Sequence, residues 1–160
     1  MVAAFTPDAE GGFTDDDWRH ALGGVHFVLD LDGRIVSHAS VVERELHAGG
    51  RPLRTGYVEA VATAPEHQGT GLGSLVMQEV TGYIDHHFEL GALGTGRQGF
   101  YHRLGWQTWQ GPSFVRTDAA GGDRPTPEDD GSILVLPTKA SPILDTGSAI
   151  SCDWRSGDSW

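Results

Sequence analysis

Apolar β-forming residues gather in three stretches over the first 63 positions, and a helical period takes over after them. His26–Leu31 is the first strand candidate. Asp32-Gly33 behind it is a strong hairpin signal, because this dipeptide suits the positive φ angles of a two-residue turn. Arg34–His47 reads as a long second strand carrying Ile35, Val36, Val41 and Val42. Ala48-Gly49-Gly50-Arg51-Pro52 makes the next turn. Leu53–Thr63, with Tyr57, Val58 and Val61, is the third strand. Leu72, Leu75, Val76, Val80 and Ile84 then recur at helical spacing, with Met77 and Tyr83 beside them, so one face of this helix is expected to be buried. Glu89–Leu93 reads as a short strand and Gln98–Leu104 as a short helix stopped by Gly105. Trp106–Thr117 reads as a strand interrupted near Gly111-Pro112, Asp118–Asp130 as a loop, and Ser132–Leu136 as a last strand. The tail to Trp160 has no clear period. Ahead of all these, Thr14 as N-cap and Asp15, Asp16 and Asp17 in the first turn open a helix that Gly23-Gly24 ends.

Antiparallel strands, then strand–helix–strand, then a helix and more strands predict a mixed α/β (α+β) sheet. With 160 residues, the chain is expected to form one domain over 1–160, with 1–13 either disordered or the remnant of a first helix. That leading stretch lacks a basic region, and no apolar run is long enough to cross a membrane, so neither a signal peptide nor a membrane partner is expected. The single cysteine, Cys152, cannot form an internal disulfide. It reads as a small buried residue in a protein of a reducing cytoplasm. A net charge of −11 excludes the basic stripe of a nucleic-acid binder and the basic helix of a membrane-surface protein. Two readings of the acids remain: a solvated surface, or a site for a polycationic ligand.

The most informative stretch runs from Val61 through Ser74. A strand ends, and Gln68-Gly69-Thr70-Gly71-Leu72-Gly73 opens the amphipathic helix. Such a turn presents consecutive backbone N–H groups at a helix N-terminus, where phosphate oxygens bind. Taken alone it is also a tight turn that needs positive φ. It lacks the Gly-Lys-Ser/Thr of a P-loop, and its glycines are wrongly spaced for a dinucleotide fingerprint.

The arrangement Gln68-x-x-Gly71-x-Gly73 resembles the pyrophosphate-binding motif of the GCN5-related N-acetyltransferase superfamily. Phe100-Tyr101-His102-Arg103-Leu104-Gly105-Trp106 resembles the superfamily's later helix, whose tyrosine lies near the thioester sulfur. Thr14–Trp18, Gly56–Glu59, Gly105-Trp106, Gly111-Pro112, Thr126–Gly131, Val135–Pro137 and, above all, Cys152–Trp160 are similar to aminoglycoside 2'-N-acetyltransferases. The resemblance implies the superfamily's twisted, mostly antiparallel sheet flanked by helices; its usual first strand has no match here, being either absent or ahead of an internal start. It implies acetyl-CoA as co-substrate, held by Val61, Thr63, Gln68, Gly69, Thr70, Gly71, Leu72, Gly73 and Ser74. It also implies a cationic amino-sugar acceptor, bound by Asp17, Trp18, Glu59, Asp129, Asp158 and the terminal carboxylate of Trp160.

For catalysis, the resemblance implies Glu59 as base through a water, the Val61 N–H as oxyanion donor, and Tyr101 as acid to the departing thiolate. Direct transfer is expected, since Cys152 lies far from the motifs. Each role has a plainer alternative. Glu59 could be a substrate anchor or a salt-bridged strand acid, Tyr101 a core tyrosine, and Asp129-Asp130 a turn cap. Trp18, Trp106, Trp109 and Trp154 read as core or pocket wall. His86 and His87 are adjacent on a helix and point apart, so no metal site is expected. The loop Gly94–Arg97 is shorter than in mycobacterial members, leaving Gly94 or Thr95 where a serine contact would lie. Another amine acceptor, or a catalytically silent module that binds coenzyme A or an aminoglycoside, remains open. A homodimer covering sheet edges is a further expectation.

Overall fold

Asp32 and Gly33 adopt φ of 52° and 79°, as a two-residue hairpin turn requires, and fold β1 (Val25–Leu31) back on β2 (Arg34–Ala48). The computed structural model describes residues 15–117 and 122–160, and within the first helix the side chains from Trp18 onward. The predicted N-cap Thr14, the side chain of Asp17 and residues 1–13 lie outside the described residues. Helix α1 spans Asp15–Leu22, and after the first hairpin β3 runs over Arg51–Thr63. A 3-10 turn at Pro65–His67 leads to α2 (Leu72–His87), β4 (Leu90–Gly94) and α3 (Gln98–His102). The remaining strands are β5 (Gln107–Thr108), β6 (Ser113–Arg116), β7 (Arg124–Pro125), β8 (Ile133–Pro137) and β9 (Ile150–Asp153).

The strands form one mixed sheet in the order β5-β8-β4-β3-β2-β9-β6-β7, with β1 beside the first half of β2. Among the described residues, β3 with β4 and β6 with β9 pair in parallel, and the other pairs are antiparallel. Strand alternation sends side chains to two separate cores. On β8, Leu134 and Leu136 join α2 residues Val76, Met77, Val80 and Ile84 on one face. Ile133 and Val135 turn to the other face, where Trp109, Val115, Ile150, Cys152 and Trp160 cover them. The C-terminal segments therefore act as the second layer that α2 supplies on the first face.

Three expectations are corrected. Leu75 is 51% exposed, because it stands about 100° round the helix from the buried Val76–Val80–Ile84 line. The strand expected over Trp106–Thr117 is two strands at different places in the sheet. β5 pairs with β8, β6 pairs with β9, and Gln110 and Gly111 between them donate to the Thr146 carbonyl. The tail holds β9, a four-residue strand whose Ile150, Ser151 and Cys152 are all buried, so it carries no alternation to read.

Gly111 marks the tightest approach. A Cβ there would lie 1.8 Å from the Ser148 carbonyl oxygen and 2.6 Å from that of Gly147. We expect Gly111→Ala to lower unfolding stability by about 3 kcal/mol, because backbone has to move. Gly82 lies within α2 and a Cβ there meets nothing within 4 Å, so Gly82→Ala should raise stability by about 1 kcal/mol. Urea denaturation of the two variants measures both.

Candidate active site

The two central parallel strands pair only from Thr55↔Leu90 to Tyr57↔Ala92. Beyond that point β4 continues along β8, and no described strand continues along that side of β3. Residues Val58–Thr63 thus form the wall of an opening between parted strands. The opposite side of β3 stays paired with β2, but with an irregularity. Glu59 faces Ser40 and Ala62 faces His38, so Ala39 stands opposite both Ala60 and Val61. This is a β-bulge, and Ala60 accommodates it at φ 51°.

At the end of β3, the chain turns into α2 through Gly69 and Gly71, with φ of 75° and 90°. A Cβ at either would point into open space. Both therefore have the positive φ expected of a tight turn here. Gly73 differs: a Cβ there would meet the Thr63 Oγ1 at 3.0 Å, so this glycine serves the close packing of α2 on β3. Gln68 Nε2 donates to the Thr63 carbonyl at 3.1 Å, and Thr70 Oγ1 donates to that of His67. These bonds hold the turn's shape. Gly71 caps α2 with no side-chain bond to the first turn, which contains no acid. The N–H groups of Leu72, Gly73 and Ser74 therefore face outward with the positive end of the helix.

Three of the predicted acids, Glu59, Asp129 and Asp158, are linked beside the opening through the charge of Asp158. Glu59 lies on β3, and Arg155 Nη1 donates to its Oε1 at 2.6 Å, both side chains being largely buried. Burial pushes the Glu59 carboxyl above its ordinary range, and the Arg155 guanidinium pulls it back. Asp158 adds its field to Glu59 and also to Asp129, whose carboxyl is raised chiefly by burial. Asp158 Oδ1 accepts the N–H of Trp160 at 3.1 Å. Asp130 is structural. It takes the Ser113 N–H and Oγ at 2.8 Å each, and so caps the loop next to β6.

The tail itself is nailed down. Trp160 is buried and donates from Nε1 to Thr126 Oγ1 at 3.1 Å. Arg44, 8% exposed, donates to the carbonyls of Ser159 and Asp153 at 2.8 and 3.0 Å. Arg155 also donates from Nε to the Asp158 carbonyl, and both guanidiniums lie over the Tyr57 ring. The Trp160 carboxyl rests on Gly94: a Cβ there would lie 3.2 Å from its carbon and 3.5 Å from the Tyr57 hydroxyl. That hydroxyl is buried with no hydrogen-bond partner among the described residues, and burial raises its pKa strongly.

Tyr101 projects from α3 against Phe100 and Trp106, and burial pushes its hydroxyl up to about 12. Trp18 packs on His38 with ring centroids 5.6 Å apart. Trp106 and Trp109 are core, as expected, whereas Trp154 is 62% exposed, just past the end of β9. Cys152 is fully buried. Among the described residues no group of His, Cys, Asp or Glu is placed to hold a metal ion. Two open surface depressions of about 470 and 420 Å³ are lined by Glu43, Arg44, Arg54 and Glu89, and by Arg116, Asp153 and Trp154; neither is lined by Glu59, Tyr101, Asp129, Asp158, Trp160 or the glycine turn. Arg44, Arg155, Tyr57, Ser113 and Thr126 were missed as site-building residues. The available signal was arginine inside acid-rich segments, which points to buried ion pairing.

A family model described as an acetyltransferase (GNAT) domain matches residues 7–109. The chain is 44% identical over 155 residues to an aminoglycoside 2'-N-acetyltransferase of Mycolicibacterium fortuitum, covering 94% of this chain and 78% of that protein. A GNAT family acetyltransferase from Brucella melitensis, solved with acetyl-CoA, superposes with a TM-score of 0.61 at 18% identity, covering 97% and 84% of the two chains. A GCN5-related N-acetyltransferase from Kribbella flavida gives 0.56 at 25% identity, over 69% of this chain and 31% of that one.

The Glu59–Arg155 pair makes a direct prediction. Replacing Arg155 with Met removes the main force that favours the carboxylate, so the Glu59 pKa should climb further. A ¹³C NMR titration of the glutamate carboxyls measures the shift, and an unmoved or lowered value contradicts this account of the site's electrostatics.

Proposed function

The chain belongs to the GNAT acetyltransferase family, and from that premise we propose that it transfers the acetyl group of acetyl-CoA to the 2'-amino group of an aminoglycoside by direct attack in a ternary complex. The observation that carries this reading is the gathering of Glu59, Asp129, Asp158 and the Trp160 carboxyl around one opening, on a tail tied to the central strands by Arg44 and Arg155. One exposed carboxylate contributes only about 0–1 kcal/mol toward an ammonium group. Several held together, partly buried, suit a ligand with several ammonium groups.

The residues present fit coenzyme A. Gly69 and Gly71 leave open space in front of the turn, and the first turn of α2 offers N–H groups without a competing acid. The free side of β3 offers main chain at Val61 and Thr63 for a pantetheine arm to pair with as an added strand does. When bound, acetyl-CoA supplies a thioester carbonyl open to attack by an amine.

This chain's residues would do the rest. Glu59 accepts the proton that the acceptor's ammonium has to lose. Burial suits it to that task, since a base is most effective when its pKa approaches the working pH. Arg155 keeps it available as a carboxylate. The Val61 N–H, just past the bulge, is a fixed donor toward the acyl oxygen, where negative charge grows. Tyr101 keeps its proton at neutral pH and can supply it to the departing sulfur. Buried Cys152 suits a reducing compartment, in keeping with a cytoplasmic enzyme.

A thiol-release assay with tobramycin, gentamicin and kasugamycin tests the reading, with NMR of the product to locate the acetyl group. Acetylation at another nitrogen, or of simple amines only, removes the 2' aminoglycoside claim. Glu59→Gln should lower kcat/KM about 10²–10⁴-fold. In the parent, kcat/KM should fall as pH drops through a value above the ordinary glutamate range, because a protonated Glu59 cannot accept a proton. Removing Trp160 should raise KM for the aminoglycoside and leave acetyl-CoA affinity unchanged.

A further inference from the structure

We infer that His38, backed by His26, is a positioning residue: it sets the bulge at Ala60 and thereby the aim of the Val61 N–H. The inference rests on the reading of Val61 as the donor to the acyl oxygen.

Three adjoining polar side chains of β2 are almost fully buried: Ser37, His38 and Ser40. Each reaches the same short stretch of the neighbouring strand. Ser40 Oγ donates to the Glu59 carbonyl at 3.3 Å, His38 Nδ1 lies 2.8 Å from the Ala60 carbonyl, and Ser37 Oγ donates to that of Ala62 at 3.2 Å. A regular antiparallel ladder needs none of these bonds, because its carbonyls are taken by backbone N–H groups. Here the extra residue interrupts the ladder between Glu59 and Ala62, and side chains of β2 bond the carbonyls on and beside it. The bulge is also costly in itself. Ala60 sits at φ 51°, where a residue with a Cβ is disfavoured by about 1–2 kcal/mol. Something has to hold it there.

His38 is the strongest of the three holds, and its chemistry is determined. A carbonyl only accepts, so His38 Nδ1 carries the proton. A neutral ring then has its lone pair on Nε2, and the only way to satisfy the 2.9 Å contact there is donation from His26 Nδ1. Burial favours the neutral ring, lowering the His38 pKa. The Trp18 ring packs against both imidazoles, with centroids 5.6 and 6.5 Å away, and fixes their planes. One chain of contacts therefore runs from α1 through β1 and β2 to the residue before Val61. Its end is a donor rigid enough to fix one peptide plane, and the next N–H belongs to that same peptide. Turning the Ala60 carbonyl turns the Val61 N–H with it.

The test compares three substitutions in the full chain. His38→Leu removes the donor. His38→Asn places an amide donor near Nδ1, and His38→Gln places one near Nε2 instead. The expected result is a fall in kcat of about 10–100-fold for Leu and Gln, recovery to within about threefold of the parent for Asn, and acceptor KM nearly unchanged throughout. Ala60→Gly added to His38→Leu should recover urea stability but not kcat, since glycine relieves the strain without aiming the peptide. A folded His38→Leu enzyme with parental kcat overturns the inference. So does recovery of both kcat and stability by Ala60→Gly, which would reduce His38 to a structural prop. The ¹H–¹⁵N resonance of Val61 reads the same geometry without turnover. It should move in His38→Leu and return toward the parent position in His38→Asn; an unmoved resonance also overturns the inference. If the parent acetylates no amine while the Val61 resonance behaves as expected, the reaction assigned to the site fails and the role of His38 in orienting that peptide stands.

Discussion

Every buried peptide group needs a partner, and the second half of β3 has one on only one side. From this constraint the architecture around the opening follows. β4 leaves β3 after Ala92 but stays paired with β8 throughout, so the sheet remains continuous while a cleft opens inside it. An interior strand with a free flank attracts an extended ligand, as a sheet edge does, but here both faces are already covered by core. The glycine turn stands at the end of the same strand. A bound chain of atoms could thus pair with backbone at one end and meet helix N–H groups at the other.

The second requirement is that a long C-terminal segment be held against the opening. Burying a guanidinium is costly unless its donors are matched. Arg44 and Arg155 meet that condition with carbonyls of the tail and, for Arg155, with Glu59. The tail is thereby coupled to the central strands, and the sheet face that α2 does not cover receives β9 and Trp160. Fold and site share this segment: the same residues that close the second core bring carboxylates to the cleft.

Much of this could be read from the residues alone. Asp32-Gly33 determined a turn, and the period of Val76, Val80 and Ile84 determined a helix, because those signals are local. The glycines before α2 were legible as a tight turn of positive φ for the same reason, although Gly73, inside the helix, serves packing against Thr63. What escaped was non-local. β9 is too short and too uniformly buried to alternate, and its pairing partners lie in β2 and β6. The seat of the Trp160 carboxyl on Gly94, and the contact of Arg155 with Glu59 across 96 positions, depend on the completed sheet. The bulge at Ala60 has no signature at all, since alanine is a poor choice for its conformation and its carbonyl partner, His38, lies 22 positions away on β2.

The Arg155–Glu59 pair gives the cleft a property of an ion exchanger. Its largely buried Glu59 carboxylate arrives with a counter-ion supplied by the chain itself. A lone ammonium group entering there swaps one contact for another and gains little. A guest bearing several positive groups gains in proportion to the remaining acids it reaches. On the proposed reading, discrimination by valence, rather than by the shape of any one group, follows from this pairing.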